Sequence, residues 1–251
     1  MNSWRIRAET ARSPARIDRV NAAEAQNTGH HQTRWTPPLG SSTVTLLRHG
    51  ATEGYTPGMP FPLADGHGDP GLAELGFAQA ADAGRRLARE HRDASPIAAV
   101  YVTSLRRTMQ TAAPLLAAIG STPLVERELR EVFLGEWEGG EFRQRIADAD
   151  PLAVAAMQHG EWGHVPGAET SADLALRCMA ALGRIADRHV DERVVCVVHG
   201  GVIAAIVSSI TGSNQNHFLG ADNCSLTSAV RTPMGWRIRS FNDTSHLDGG
   251  W

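Results

Sequence analysis

Residues 43–50 read TVTLLRHG, a short β-rich run that ends directly on Arg48, His49 and Gly50. Two further runs have the same character: IAAVYV at 97–102 and RVVCVV at 193–198, the latter ending on His199-Gly200-Gly201. Continuous apolar runs of this length suit strands covered on both faces. Between them lie helical patterns, from Ala73 to about His91 with Leu72, Leu75 and Leu87, and from Leu105 to Ile119 with Leu105, Met109, Ala112 and Leu116 on one face. Pro114 should bend the second of these. Thr170 or Ser171 caps a third helix running to about His189, and a fourth spans Gly201–Ile210. The tail from Leu226 to Phe241 reads as a β-hairpin around Pro233–Gly235. Strands alternating with helices predict an α/β fold, a three-layer sandwich with a largely parallel central sheet.

Outward from this core, residues 1–42 carry scattered arginines, no sustained apolar period and a Pro-Pro-Leu-Gly-Ser-Ser exit, which predicts a disordered leader. Residues 43–251 are then a single domain, long enough to bury a core of its own. The formal net charge of -3 gives no basic stripe for nucleic acid, and no segment has the apolar length of a membrane span. All 24 basic residues are arginine, a bias of coding composition rather than of function. Cys178, Cys196 and Cys224 are odd in number and widely spaced, so neither a disulfide framework nor a zinc site is expected; a reducing cytoplasm fits. His30, His31, His67 and His164 have no partners at metal-ligand spacing and receive no role.

The chemistry is carried by the residues at the strand ends. In open α/β sheets ligands bind beyond the carboxyl ends of the strands, and two histidines, His49 and His199, stand there. Each is followed by glycine, Gly50 and Gly200, which lets backbone N–H groups approach an anion. Arg48 is hard to place in a core without a partner. Arg106 and Arg107 open a helix whose first turn also favours an anion, although at least one of that pair reads equally well as a solvated surface residue. The arrangement suits a phosphate.

These stretches resemble the histidine phosphatase superfamily, also called the phosphoglycerate mutase-like family. LLRHGATEG at 46–54 is similar to its first motif, VYVTSLRRTMQTA at 100–112 to its second, LREVFLGEWEG at 129–139 to its third and VVHGG at 197–201 to its fourth. DPGLAELGFAQA at 69–80 and PGAETSADLALR at 166–177 also resemble the family, so the likeness covers about residues 43–240 in the right order. The resemblance implies that His49 is the nucleophile, Glu131 the proton donor, and Arg48, Arg107 and His199 the phosphate-binding cluster, with Gly200 and Thr52 beside them. A neutral His49 would take the phosphoryl group and pass it to water. A phosphate dianion beside Glu131 would favour its protonated, donating form. Glu136, Glu138 and Glu141 read as solvated charges. A cluster of cations can replace a metal ion, so no metal and no cofactor is expected, and the partner is a small phosphorylated metabolite.

Two positions depart from the family pattern: Ala51 stands where many members have Glu or Gln, and Tyr55 lies near an Asn of the mutases. The chain has no lysine and a short interval from Glu131 to His199, which favours a phosphomonoester hydrolase over a cofactor-dependent phosphoglycerate mutase. A non-catalytic phosphoanion-binding protein is the alternative from another class; all the expected chemical residues are present, which argues against it. The insert of residues 133–170 is the expected lid, with Trp137, Trp162, Arg143 or Arg145 facing the substrate. The sequence leaves the oligomeric state open.

Overall fold

The computed structural model describes residues 33–247. Chain contacts divide it into Met1–Thr36 and Pro37–Trp251, and the fold is that of the second unit. Most of the expected leader therefore lies outside the described residues. Ser41 and Ser42, which the sequence reading places in the leader, are buried, and Ser42 opens the first strand.

In chain order the sheet strands are β1 (Ser42–Arg48), β4 (Ile97–Val102), β5 (Pro123–Val125), β6 (Arg193–Val198), β7 (Leu226–Thr232) and β8 (Gly235–Asp243), with a two-stranded ribbon of β2 (Leu63–Ala64) and β3 (His67–Gly68) between the first two. The sheet order is β5-β4-β6-β1-β7-β8. Its first four strands run parallel, and the terminal hairpin adds two antiparallel ones. The principal helices are α1 (Glu74–Asp93), α2 (Arg106–Ile119), α3 (Glu141–Ala147), α4 (Pro151–His159), α5 (Ser171–Arg188) and α6 (Gly200–Thr211).

The pleat explains the three layers. On β6, Val194, Cys196 and Val198 face one core with Leu174, Leu182 and Ile185 of α5 and Ile203 and Ile206 of α6. Val195 and Val197 face the other, with Ala80, Ala83 and Leu87 of α1 and Leu115 of α2. The alternation places every second side chain of a fully buried strand under a different helix pair.

Helix α1 packs through small residues, and Leu75 is left exposed. Gly84 lies against Pro114, where a Cβ would come within 2.9 Å of the proline Cβ, and α2 runs through Pro114 without a break. The inward face of α2 differs from expectation: Met109 is exposed, while Arg107, Thr108, Thr111, Ala112 and Leu115 are buried. The cause is polar. Thr111 Oγ1 accepts from the Gly50 amide at 3.0 Å and Thr108 Oγ1 accepts from the Thr103 amide at 3.1 Å, so the helix turns hydroxyls, not its apolar stripe, toward the strand ends.

Candidate active site

Parallel register brings the two histidines together. Arg48 pairs with Val198 at the ends of β1 and β6, and the His49 amide donates to the Val198 carbonyl at 3.0 Å. The imidazoles of His49 and His199 then lie with ring centroids 5.2 Å apart. The turn after β1 is fastened to both neighbouring helices. Ala51 N–H donates to Gln79 Oε1 and its carbonyl accepts from Ala73, each at 2.9 Å. A side chain at Gly76 would collide with that Ala51 carbonyl, so a residue without Cβ is required there.

His49 Nδ1 lies 2.8 Å from the Gly50 carbonyl. A carbonyl can only accept, so Nδ1 carries the proton and Nε2 keeps its lone pair. Burial, then the fields of Arg107 and Arg48, hold the ring well below the ordinary histidine range, which keeps it neutral. Asn223 Nδ2 donates to the His49 carbonyl at 2.8 Å and fixes the backbone behind it.

His199 is fully buried and its two ring nitrogens both have partners. Arg107 Nε donates to Nδ1 at 3.3 Å, which leaves the proton on Nε2 to be donated to Thr103 Oγ1 at 3.1 Å. Burial and the Arg107 field depress its protonation as well. The sequence reading groups His199 with the cations. In the structure the ring accepts from Arg107 and orients it, while burial and the nearby arginines disfavour a proton there. Arg107 is further held by Nη1 donating to the Gly68 carbonyl at 2.9 Å. Arg48 Nη1 donates to the Ala221 carbonyl. Burial pulls both guanidiniums below their ordinary range, partly offset by the Glu131 carboxylate near each.

Glu131 accepts from its neighbour Val132 N–H at 2.9 Å and faces the first turn of α6, where Gly201 N–H lies 3.4 Å from Oε2. A Cβ on Gly201 would stand 2.6 Å from Oε1. Gly200 plays the same part for Arg48, whose Nε would lie 3.4 Å from its Cβ.

Arg48, His49, Arg107 and Glu131 line one cavity of about 280 Å³. His199, Thr52 and Gly200 are not among its lining residues. Thr52 Oγ1 accepts from Arg143 Nη2 at 2.8 Å, and Arg143 Nη1 donates to the Glu53 carbonyl at 2.9 Å. Arg143 itself lines the cavity, as do Trp137 and Trp162, whereas Arg145 stands over the Trp137 ring and pairs with Glu141 and Asp150 along another groove. Glu138, which reads as solvated in the sequence, also lines the cavity, with Oε1 accepting from Leu134 N–H and Oε2 from Gly68 N–H. Two contributors escape the sequence reading. Thr103 follows β4 as the histidines follow β1 and β6, a positional signal that the sequence does carry; His67, left without a role, lines the cavity from a ribbon that no periodicity announces. Among the described residues no group of three or more His, Cys, Asp or Glu side chains is arranged to hold a metal ion.

The family model for the histidine phosphatase superfamily (branch 1) matches residues 44–244. The chain belongs to that superfamily. A metal-independent phosphoserine phosphatase of Arabidopsis thaliana is 33% identical over 208 residues, covering 81% of this chain and 82% of the relative. Phosphoglycerate mutase-like protein 4 of the same plant is 31% identical, covering 82% and 86%. The solved mycobacterial glucosyl-3-phosphoglycerate phosphatase superposes with a TM-score of 0.66 at 28% identity, over 81% of this chain and all of that one. In this histidine phosphatase the first three motifs line one crevice and the fourth stands behind it, His199 touching Arg107; the described residues contain no helix long and apolar enough to cross a membrane.

Proposed function

We propose that this histidine phosphatase hydrolyses a small phosphomonoester without a metal ion, through a phosphohistidine formed on Nε2 of His49. One observation carries the reading most: His49 has Nδ1 on the Gly50 carbonyl, which leaves Nε2 free, is disfavoured as a cation by burial and the arginines, and lines a cavity shared with Arg48 and Arg107. The lone pair of Nε2 attacks phosphorus as the bond to the leaving oxygen breaks, and Glu131 gives that oxygen its proton. Water then attacks the phosphohistidine, the Glu131 carboxylate takes its proton, and inorganic phosphate leaves with His49 neutral again. Arg48 and Arg107 bear the charge on the equatorial oxygens, which is the task a metal ion performs elsewhere. Arg143 joins them from the insert of residues 133–170, which acts as the lid; its field reaches His49 and Arg107, and Arg48 acts on it in turn. His199, through Arg107, is a positioning residue, and Thr52 positions Arg143. A reducing cytoplasm suits three buried, unpaired cysteines.

The test is phosphate release from p-nitrophenyl phosphate in excess chelator, wild type against His49→Ala. Release by the wild type that falls by at least about 10³-fold in the variant is expected. Equal rates in the two proteins, or abolition by chelator, would overturn the proposal.

A further inference from the structure

Beyond the phosphoryl cluster the cavity changes character. Its remaining wall is formed largely by Phe61, Val132, Leu134, Trp137, Phe142 and Trp162. The aromatic members are organised rather than scattered: Phe142 stacks on Trp137 with centroids 6.2 Å apart and meets Trp162 edge-on at 5.7 Å. Trp137 and Trp162 are 3% and 5% exposed, so these rings are fixed in the fold before any ligand arrives. An aromatic wall of this kind rewards an apolar or ring-bearing group; Trp162 Nε1, a buried donor without a partner, can serve at most one hydroxyl, and the others of a polyol would be stripped of water without replacement partners.

The carboxylates are already committed. Of the two carboxylates lining the cavity, Glu131 faces the α6 amide beside the arginines, and Glu138 has both oxygens accepting backbone N–H groups, Leu134 at 2.9 Å and Gly68 at 2.6 Å. Asp69, near Arg107, accepts from the Arg106 amide at 2.9 Å and faces both of those guanidiniums. None is left as a counter-ion for a substrate ammonium. At about 280 Å³ the space is just below the usual 300–1,000 Å³ of ligand sites, so it holds a phosphoryl group and one compact substituent.

From these walls we infer that the alcohol released is compact, without an ammonium group and mainly apolar, carrying a ring or branched alkyl group against Trp137, Phe142 and Trp162, and is neither an amino acid nor a sugar. The inference rests on the phosphatase reading and names its substrate class. It sets this site apart from what the names of the phosphoserine and glucosyl-3-phosphoglycerate phosphatases say of those relatives.

Leaving-group reactivity has to be matched, so the panel consists of primary alkyl phosphates: 2-phenylethyl phosphate, ethyl phosphate, O-phosphoserine, O-phosphoethanolamine and glycerol 3-phosphate. With p-nitrophenyl phosphate turnover established first, kcat/KM for 2-phenylethyl phosphate should exceed that of each other ester by at least about tenfold. Phosphoserine, phosphoethanolamine or glycerol phosphate turned over as fast as the phenylethyl ester overturns the inference while leaving the phosphatase intact. Failure on p-nitrophenyl phosphate itself overturns the reading beneath it.

Discussion

The floor of the cavity and its wall are built in opposite ways. The floor hangs from the ends of β1, β4 and β6 and the first turn of α2, and each of its rings and Arg107 is pinned by protein partners: His49 on Gly50, His199 between Arg107 and Thr103, Arg107 on Gly68. Apart from Phe61, the wall comes from short segments after Leu129, turned by Gly135, Gly139 and Gly140 at positive φ, and its cohesion is ring against ring. Gly140 seats on the Tyr55 ring with no room for a Cβ, so the position that departs from the mutase pattern serves to dock the wall. A rigid polar floor sets the reaction; a wall assembled from turns can vary the alcohol without disturbing it.

That division ranks the arginines. Arg107 is buried and held by two strand-end partners, while Arg143 is exposed and carried by α3. Arg107→Ala should lower kcat/KM for p-nitrophenyl phosphate by about 10²–10³-fold, the usual cost of removing a preorganised charge partner of the transition state. Arg143→Ala should cost about tenfold, because an exposed cation is better screened by solvent and salt than a buried one. Equal losses from the two substitutions would break the distinction between floor and wall.

A smaller effect tests how the floor is held. Thr103 reaches no substrate, but its hydroxyl accepts the His199 proton and thereby orients the ring that receives Arg107. Thr103→Val keeps the shape and removes the acceptor. We expect kcat to fall several-fold with KM little changed, an order of magnitude below the effect of losing Arg107. Thr103→Ser should restore the rate; a Thr103→Val enzyme with unaltered kcat would show that the hydrogen bond has no bearing on catalysis.

The same contrast governs what is legible in the sequence. The strands of the floor are nearly continuous apolar runs, and their ends sit where a parallel sheet must place ligands, so the sheet, the hairpin and the convergence of Arg48, His49, Arg107 and His199 can be anticipated. Glu131 comes from the family motif alone, since nothing in its local pattern points it at Gly201. The face of α2 is misjudged because apolar spacing cannot reveal that Thr108 and Thr111 are needed as acceptors. β5 is three residues long, too short for a periodic signal. In the wall, the choice between Arg143 and Arg145 depends on which side of Trp137 each takes, and that is fixed by positive-φ glycines and contacts distant in sequence.

The dryness of the floor has a last, modest consequence for stability. His49 and His199 are both held well below the ordinary histidine range, first by burial and next by Arg107; His67 and Arg48 add to the repulsion at His199. In the unfolded chain each would protonate as pH falls through about 6.5. The unfolded state then binds more protons than the native one, so folding stability is fully present above that value and is lost as pH falls below it. Between pH 7.5 and 5.5 each histidine that stays neutral in the native state accounts for about 1.4 kcal/mol of that loss. Urea midpoints of wild type and His199→Gln, taken at both pH values in phosphate-free buffer, separate this from the titration of carboxylates, which the two proteins share. The variant should lose less stability on acidification by roughly 1 kcal/mol. An identical pH dependence in the two proteins would mean that His199 is protonated in the native state below neutrality, and the neutral floor would have to be abandoned in favour of a cationic histidine facing the phosphate.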